Sequence, residues 1–115
     1  MTDQTAEPQF LYLTTIGWKS SQPHTIEIWF VSYNGAYFIV SEYREDSHWV
    51  KNIRHNSAIR VRIGDRNAPE WQGTGYVIDP AQEPALATEV AHRMDAKYEW
   101  SDGLIVALTP SETPV

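Results

Sequence analysis

TIEIWFVSYNGAYFIVS, residues 25–41, alternates in its first half and breaks at an Asn-Gly pair in its middle. Ile26, Ile28 and Phe30 fall on one face and Glu27, Trp29 and Val31 on the other, the period-two pattern of a half-buried strand. Asn34-Gly35 accepts the positive φ values of a type I′ turn, so Tyr37 to Ser41 is predicted to run back antiparallel. An antiparallel hairpin at this point argues against a doubly wound parallel sheet.

The flanking segments extend the same reading. Phe10 to Ile16 is aromatic and β-branched and is broken by Gly17 to Pro23, hence a strand and then a polar turn. At Ser47 to His55 the period changes: Trp49 and Ile53 lie four apart with Val50 beside them, which predicts a short helix ended by Asn56. Ala58 to Ile63 alternates again, with Ile59, Val61 and Ile63 inward and Arg60 and Arg62 outward. Glu70 to Ile78 is predicted as another strand, bent or bulged at Gly73 and Gly75. Asp79-Pro80-Ala81-Gln82 has the residues of a capped helix start, but Pro84 would remove a bond from the second turn, so Glu83 or Pro84 is the alternative start. Leu86, Val90 and Met94 form that helix's apolar stripe. Gly103 to Leu108 reads as a fully buried strand, followed by a polar tail at 109–115 that matches the polar stretch at 1–9. The expected fold class is mainly β (α+β): one domain over 1–115, an antiparallel sheet curled into a small barrel with two helices.

Composition narrows the function. The chain of 115 residues contains no cysteine, which excludes disulfides, thiolate nucleophiles and cysteine-held metals. A net charge of −6 argues against nucleic acid, whose binding rests on cations. No apolar run approaches the ~20 residues of a membrane span, and Met1 to Gln9 lacks the blocks of a signal peptide, so a cytoplasmic protein is expected, with no membrane association. His48 and His55 stand two helical turns apart, about 10 Å along the axis, too far to share a metal ion, and no metal is expected.

Two stretches carry chemistry. Gly17-Trp18-Lys19-Ser20-Ser21 sets one cation and two hydroxyls in a turn whose N–H groups are free. On composition it is either a solvated surface turn or a cradle for phosphate or carboxylate. Trp49 is likewise either core or a ring-stacking residue.

Leu13-Thr14-Thr15-Ile16-Gly17-x-Lys19-Ser20-x-Gln22-Pro23, then Trp49-x-x-Asn52-Ile53-x-x-Asn56, then Arg60-Val61-Arg62-Ile63-Gly64, resembles the deazaflavin-dependent nitroreductase family, also described as deazaflavin-dependent quinone reductases. The resemblance runs from about Phe10 to Tyr98. It implies a homodimeric split β-barrel, similar to the flavin-binding pyridoxamine-phosphate-oxidase-like proteins, with coenzyme F-420 in a groove at the subunit interface. It also implies an oxidoreductase that moves a hydride to a small planar acceptor, such as a quinone, nitroaromatic or enone. By position, Lys19 and Ser20 are expected to meet the cofactor's phosphate or acidic tail, and Trp49 and Asn52 to line the groove from the short helix. Ser41 falls where the family presents backbone to the ring, while His24 and Arg44 complete the cofactor-binding set. The family usually has arginine where this chain has Trp18 and His24, and glycine where it has Ser21. The stretch after Ser41 reads Glu42-Tyr43-Arg44-Glu45-Asp46-Ser47 in place of glycines. These departures keep FMN, with a single phosphate, as the alternative cofactor, and a non-catalytic ligand-binding barrel as the alternative function. Glu27, Tyr43 and His24 are the proton-donor candidates.

Overall fold

The alternating segment divides at Phe30, where its two halves go to opposite edges of one sheet. The computed structural model describes residues 7–114, with side chains described through Ser111; residues 1–6 of the predicted polar N-terminus and Val115 lie outside it. Its elements are β1 (Phe10–Ile16), β2 (Pro23–Trp29), β3 (Val31–Tyr33), β4 (Ala36–Ser41), α1 (His48–His55), β5 (Ala58–Ile63), β6 (Trp71–Val77), α2 (Pro84–Tyr98) and β7 (Leu104–Pro114). The strands form one seven-stranded sheet in the order β2-β1-β5-β6-β7-β4-β3. Every pairing is antiparallel. β2 and β3 are the two edges, yet only Phe30 separates them in the chain. A flat sheet cannot satisfy both facts, because neighbouring strands stand about 4.8 Å apart. The sheet therefore curls until its edges meet at Phe30, which is fully buried at the seam. Past Phe30, β2 and β4 diverge without pairing, and this is the split in the barrel.

The curl makes two cores. Leu11, Leu13, Phe30, Ile39, Val61, Val106 and Leu108 fill the inside together with Val50 and Ile53 of α1, which plugs the barrel. Phe38, Val40, Ile105 and Ala107 point the other way and are covered by Val90 and Met94 of α2. With both faces of β7 buried here, the run Leu104 to Leu108 is apolar without alternation.

Three expectations are corrected. The strand predicted over 25–31 is two strands, because Phe30 turns the chain from one edge to the other. The predicted polar tail at 109–115 is strand as far as Pro114, paired with β6. Backbone pairing needs no apolar side chain, and beyond Leu108 β7 has a neighbour on one side only, where proline is tolerated. The register shifts between Trp71 and Gly73, as the predicted bulge requires, and a side chain at Gly73 would clash with the Thr109 carbonyl oxygen. Asp79 does not cap a helix: its carboxylate accepts the Ala81 N–H (2.9 Å) in a turn, and α2 begins at Pro84, the alternative start.

The C-terminal end of α2 locks the seam. The Phe30 N–H donates to the Tyr98 hydroxyl (3.0 Å), which donates to the Gln9 carbonyl (2.5 Å). Lys97 Nζ donates to Glu7 Oε1 (2.8 Å) and to the carbonyls of Pro8 (2.6 Å) and Phe30 (2.9 Å), so all three of its N–H groups are used. Part of the polar N-terminus is thus strapped across the closure. Among the described residues no helix is long and apolar enough to cross a membrane.

Tyr98→Phe strips the Phe30 N–H of its partner while leaving the ring's packing intact. Loss of about 1–3 kcal/mol is expected, read as a lower urea midpoint at unchanged slope. An unchanged midpoint would show that the seam does not depend on this hydroxyl.

Candidate functional site

The Gly17–Gln22 turn follows from β1 running out of apolar residues. The Gly17 N–H donates to the Gln22 carbonyl (2.8 Å) and the Ser21 N–H to the Gly17 carbonyl (2.9 Å), with Ser21 at φ 61°. The amides of Lys19 and Ser20 have no acceptor in the protein among the described residues. Ser20 Oγ accepts the Gln22 N–H (3.1 Å) and lies 3.2 Å from His24 Nε2. The Lys19 ammonium stands 4.7 Å from the centre of the Trp18 ring, and no described carboxylate pairs with it.

Asn52 fixes this turn to α1. Its side chain is 3% exposed; Oδ1 accepts the Trp18 N–H (2.9 Å) and Nδ2 donates to Thr15 Oγ1 (2.9 Å). One amide therefore spans strand, turn and helix. It forms part of the cleft wall, but these protein bonds occupy its polar atoms.

Between the turn, β2 and α1 lies a cleft of about 550 Å³. Lys19, Ser20, His24, Trp49 and Asn52 all line it, so five of the seven sequence-predicted site residues meet in one place. Lys51 and His48 line it as well, and among the described residues no carboxylate does. The sequence motif includes neither of these two, and His48 figures in the sequence reading only as a candidate metal ligand. With Asn52 buried as a fixed point, positions 48 and 51, four and one residues back, flank it on the same side. In a chain of net charge −6, a cleft with two lysines, two histidines and no acid is a local inversion of sign.

A second cleft, about 570 Å³, opens in the split between β2 and β4. Trp49 lines both, so the two clefts adjoin at this residue as two halves of one groove. Ser41 lines the second half, 2% exposed, its hydroxyl donating to the Arg44 carbonyl (2.9 Å) and 2.6 Å from the Ser47 hydroxyl. Glu27 and Tyr43 line it too, whereas His24 belongs to the first half. Arg44 lines neither cleft; its guanidinium pairs with Asp102 (2.9 Å) on the exposed surface. Tyr76 also lies outside both, its phenol pushed up by partial burial and then by Glu83.

Replacing Asn52 with Ala leaves the Trp18 N–H and the Thr15 hydroxyl unpaired. A cost of about 2 kcal/mol is expected, with faster hydrogen exchange at the Trp18 amide. Unchanged protection of that amide would mean that the turn holds its shape without the clamp.

A model of the F420H(2)-dependent quinone reductase family matches residues 2–101. No curated protein matches the chain. Similar solved structures include the heme storage protein HutZ of Vibrio cholerae, 16% identical with TM-score 0.75, covering 95% of this chain and 86% of that one. A Listeria innocua protein assigned as a pyridoxamine 5'-phosphate oxidase is 14% identical with TM-score 0.70, covering 93% and 88%. An F420 reductase is 17% identical with TM-score 0.60, covering 91% and 88%. At these identities the structural likeness carries the split-barrel fold and nothing more. The family match reaches further, running through the turn, α1 and the residues of both clefts: the chain belongs to the F420H(2)-dependent quinone reductase family, oxidoreductases whose cofactor is coenzyme F-420.

Proposed function

We propose that the chain holds reduced coenzyme F-420 along the groove on either side of Trp49 and reduces a planar acceptor, a quinone first and a nitroaromatic or enone as close analogues. The observation that carries this reading is the first cleft, lined by Lys19, Ser20 and Lys51 and by no carboxylate among the described residues. Such a set suits a ligand with a phosphodiester and a carboxylate tail. It also answers the arginines missing at Trp18 and His24, because Lys51 supplies a cation from α1 instead.

When bound, the reduced deazaflavin supplies a hydride, and the acceptor takes up one further proton. The protein's own part is binding, orientation and exclusion of water. Lys19, Lys51, Ser20 and His24 hold the anionic end, Asn52 keeps the turn in register, and the Trp49 indole walls the ring. Ser41, buried at the end of β4, gives the second cleft a fixed backbone wall. Arg44 would reach the groove only by leaving Asp102. For the proton, the Tyr43 hydroxyl is the group on the acceptor side. A homodimer is part of the proposal: β2 is an edge strand beside the groove, with Trp29 45% exposed on it.

Fluorescence titration of coenzyme F-420 and FMN against wild type, Lys19→Ala and Lys51→Ala tests the assignment. F-420 is expected to bind more tightly than FMN. Each substitution is expected to weaken F-420 by about 1 kcal/mol, about fivefold, as suits partly exposed charge pairs. Equal affinities in all three proteins, or tighter FMN binding, would contradict it.

A further inference from the structure

The two halves of the groove carry opposite charge. The half around the Gly17–Gln22 turn has lysines and no acid; the half in the split has Glu27 and Glu42 and no lysine, arginine or histidine. Neither glutamate is ion-paired among the described residues. Four aromatic residues, Trp29, Tyr43, Trp49 and Trp100, make up much of the remaining wall, with Ile28, Val40, Ser41 and Ser47 between them. Trp29 is held in place from behind: its ring stacks on Tyr98 at 4.4 Å between centroids and 3° between planes, and meets Trp100 edge-on at 6.4 Å and 72°. Because Tyr98 also closes the barrel seam, this wall is fixed before any ligand arrives.

Aromatic faces attract cations and stack on planar rings, and carboxylates beside them repel anions. At about 570 Å³ the half-groove admits a bicyclic ring system. We infer that the cleft in the split selects its acceptor by charge, taking planar neutral or cationic rings and rejecting anionic ones, with Glu27 and Glu42 as the specificity-determining residues. This rests on the reading of the groove as a cofactor-and-acceptor site. The same sorting fixes the direction in which the cofactor lies, since its anionic tail is repelled from the acceptor half.

Binding to the cofactor-free protein tests the sorting directly. N-methylquinolinium and naphthalene-2-sulfonate, bicyclic probes of matched size, are titrated by tryptophan fluorescence against wild type and the Glu27→Gln/Glu42→Gln double variant. Both glutamates are exposed, so the isosteric amides leave the fold intact. The cation is expected to bind wild type about tenfold more tightly than the anion, and that ratio to fall to about two or less in the double variant. In the loaded enzyme, kcat/KM for 1,2-naphthoquinone over its 4-sulfonate is expected to fall with the same substitutions. A wild-type protein that binds the sulfonate as well as the quinolinium, or a binding ratio unmoved by the substitutions, overturns the inference. If coenzyme F-420 fails to bind while the probe ratio behaves as stated, the charge sorting is supported and the cofactor reading alone falls.

Discussion

A single residue joins the two edges of the sheet. Because β2 ends at Trp29 and β3 begins at Val31, the sheet has to close on itself at Phe30, and everything functional follows from how it closes. The seam is held by backbone bonds from Phe30 to Tyr98 and Lys97, at the end of a helix whose other contacts are with the outer face of the barrel. Away from the seam the edges part, and α1 enters the gap with Val50 and Ile53 inward and Trp49 left in the opening. The groove is therefore not carved into a finished barrel; it is the part of the closure that was never made.

Charge in the first cleft runs against the chain's average. An acidic protein repels an anionic cofactor at long range, and a small region must reverse the field before binding is favourable. The reversal comes from two elements far apart in sequence, Lys19 in the turn and Lys51 on α1, which Asn52 holds in register.

Much of this was legible in the sequence, and the failures share a cause. Alternation at 26–30 and 59–63, the Asn-Gly turn and the Leu86-Val90-Met94 stripe report local geometry, and each held, as did the bulge at Gly73. What escaped was set by partners distant in sequence. Nothing local to 25–31 says that one residue crosses between sheet edges. The polar stretch after Leu108 looks like a tail until Gly73 leaves room for it beside β6. Lys97 and Tyr98 lie beyond the Leu86-Val90-Met94 stripe, and nothing local to them shows that they fasten the seam. Lys19, Ser20, Trp49 and Asn52, expected from their motif, line one cleft, while the presence of Lys51 and His48 in it depends on the rotation of α1, which the burial of Asn52 sets.

The most direct measurement is a crystal structure with coenzyme F-420 bound. The expected result sets the cofactor's phosphate and carboxylates against Lys19, Ser20 and Lys51, with its ring system beside Trp49 and the acceptor half still open between β2 and β4. A cofactor with its anionic tail beside Glu27 and Glu42, or one bound away from the turn altogether, would contradict the assignment of the groove.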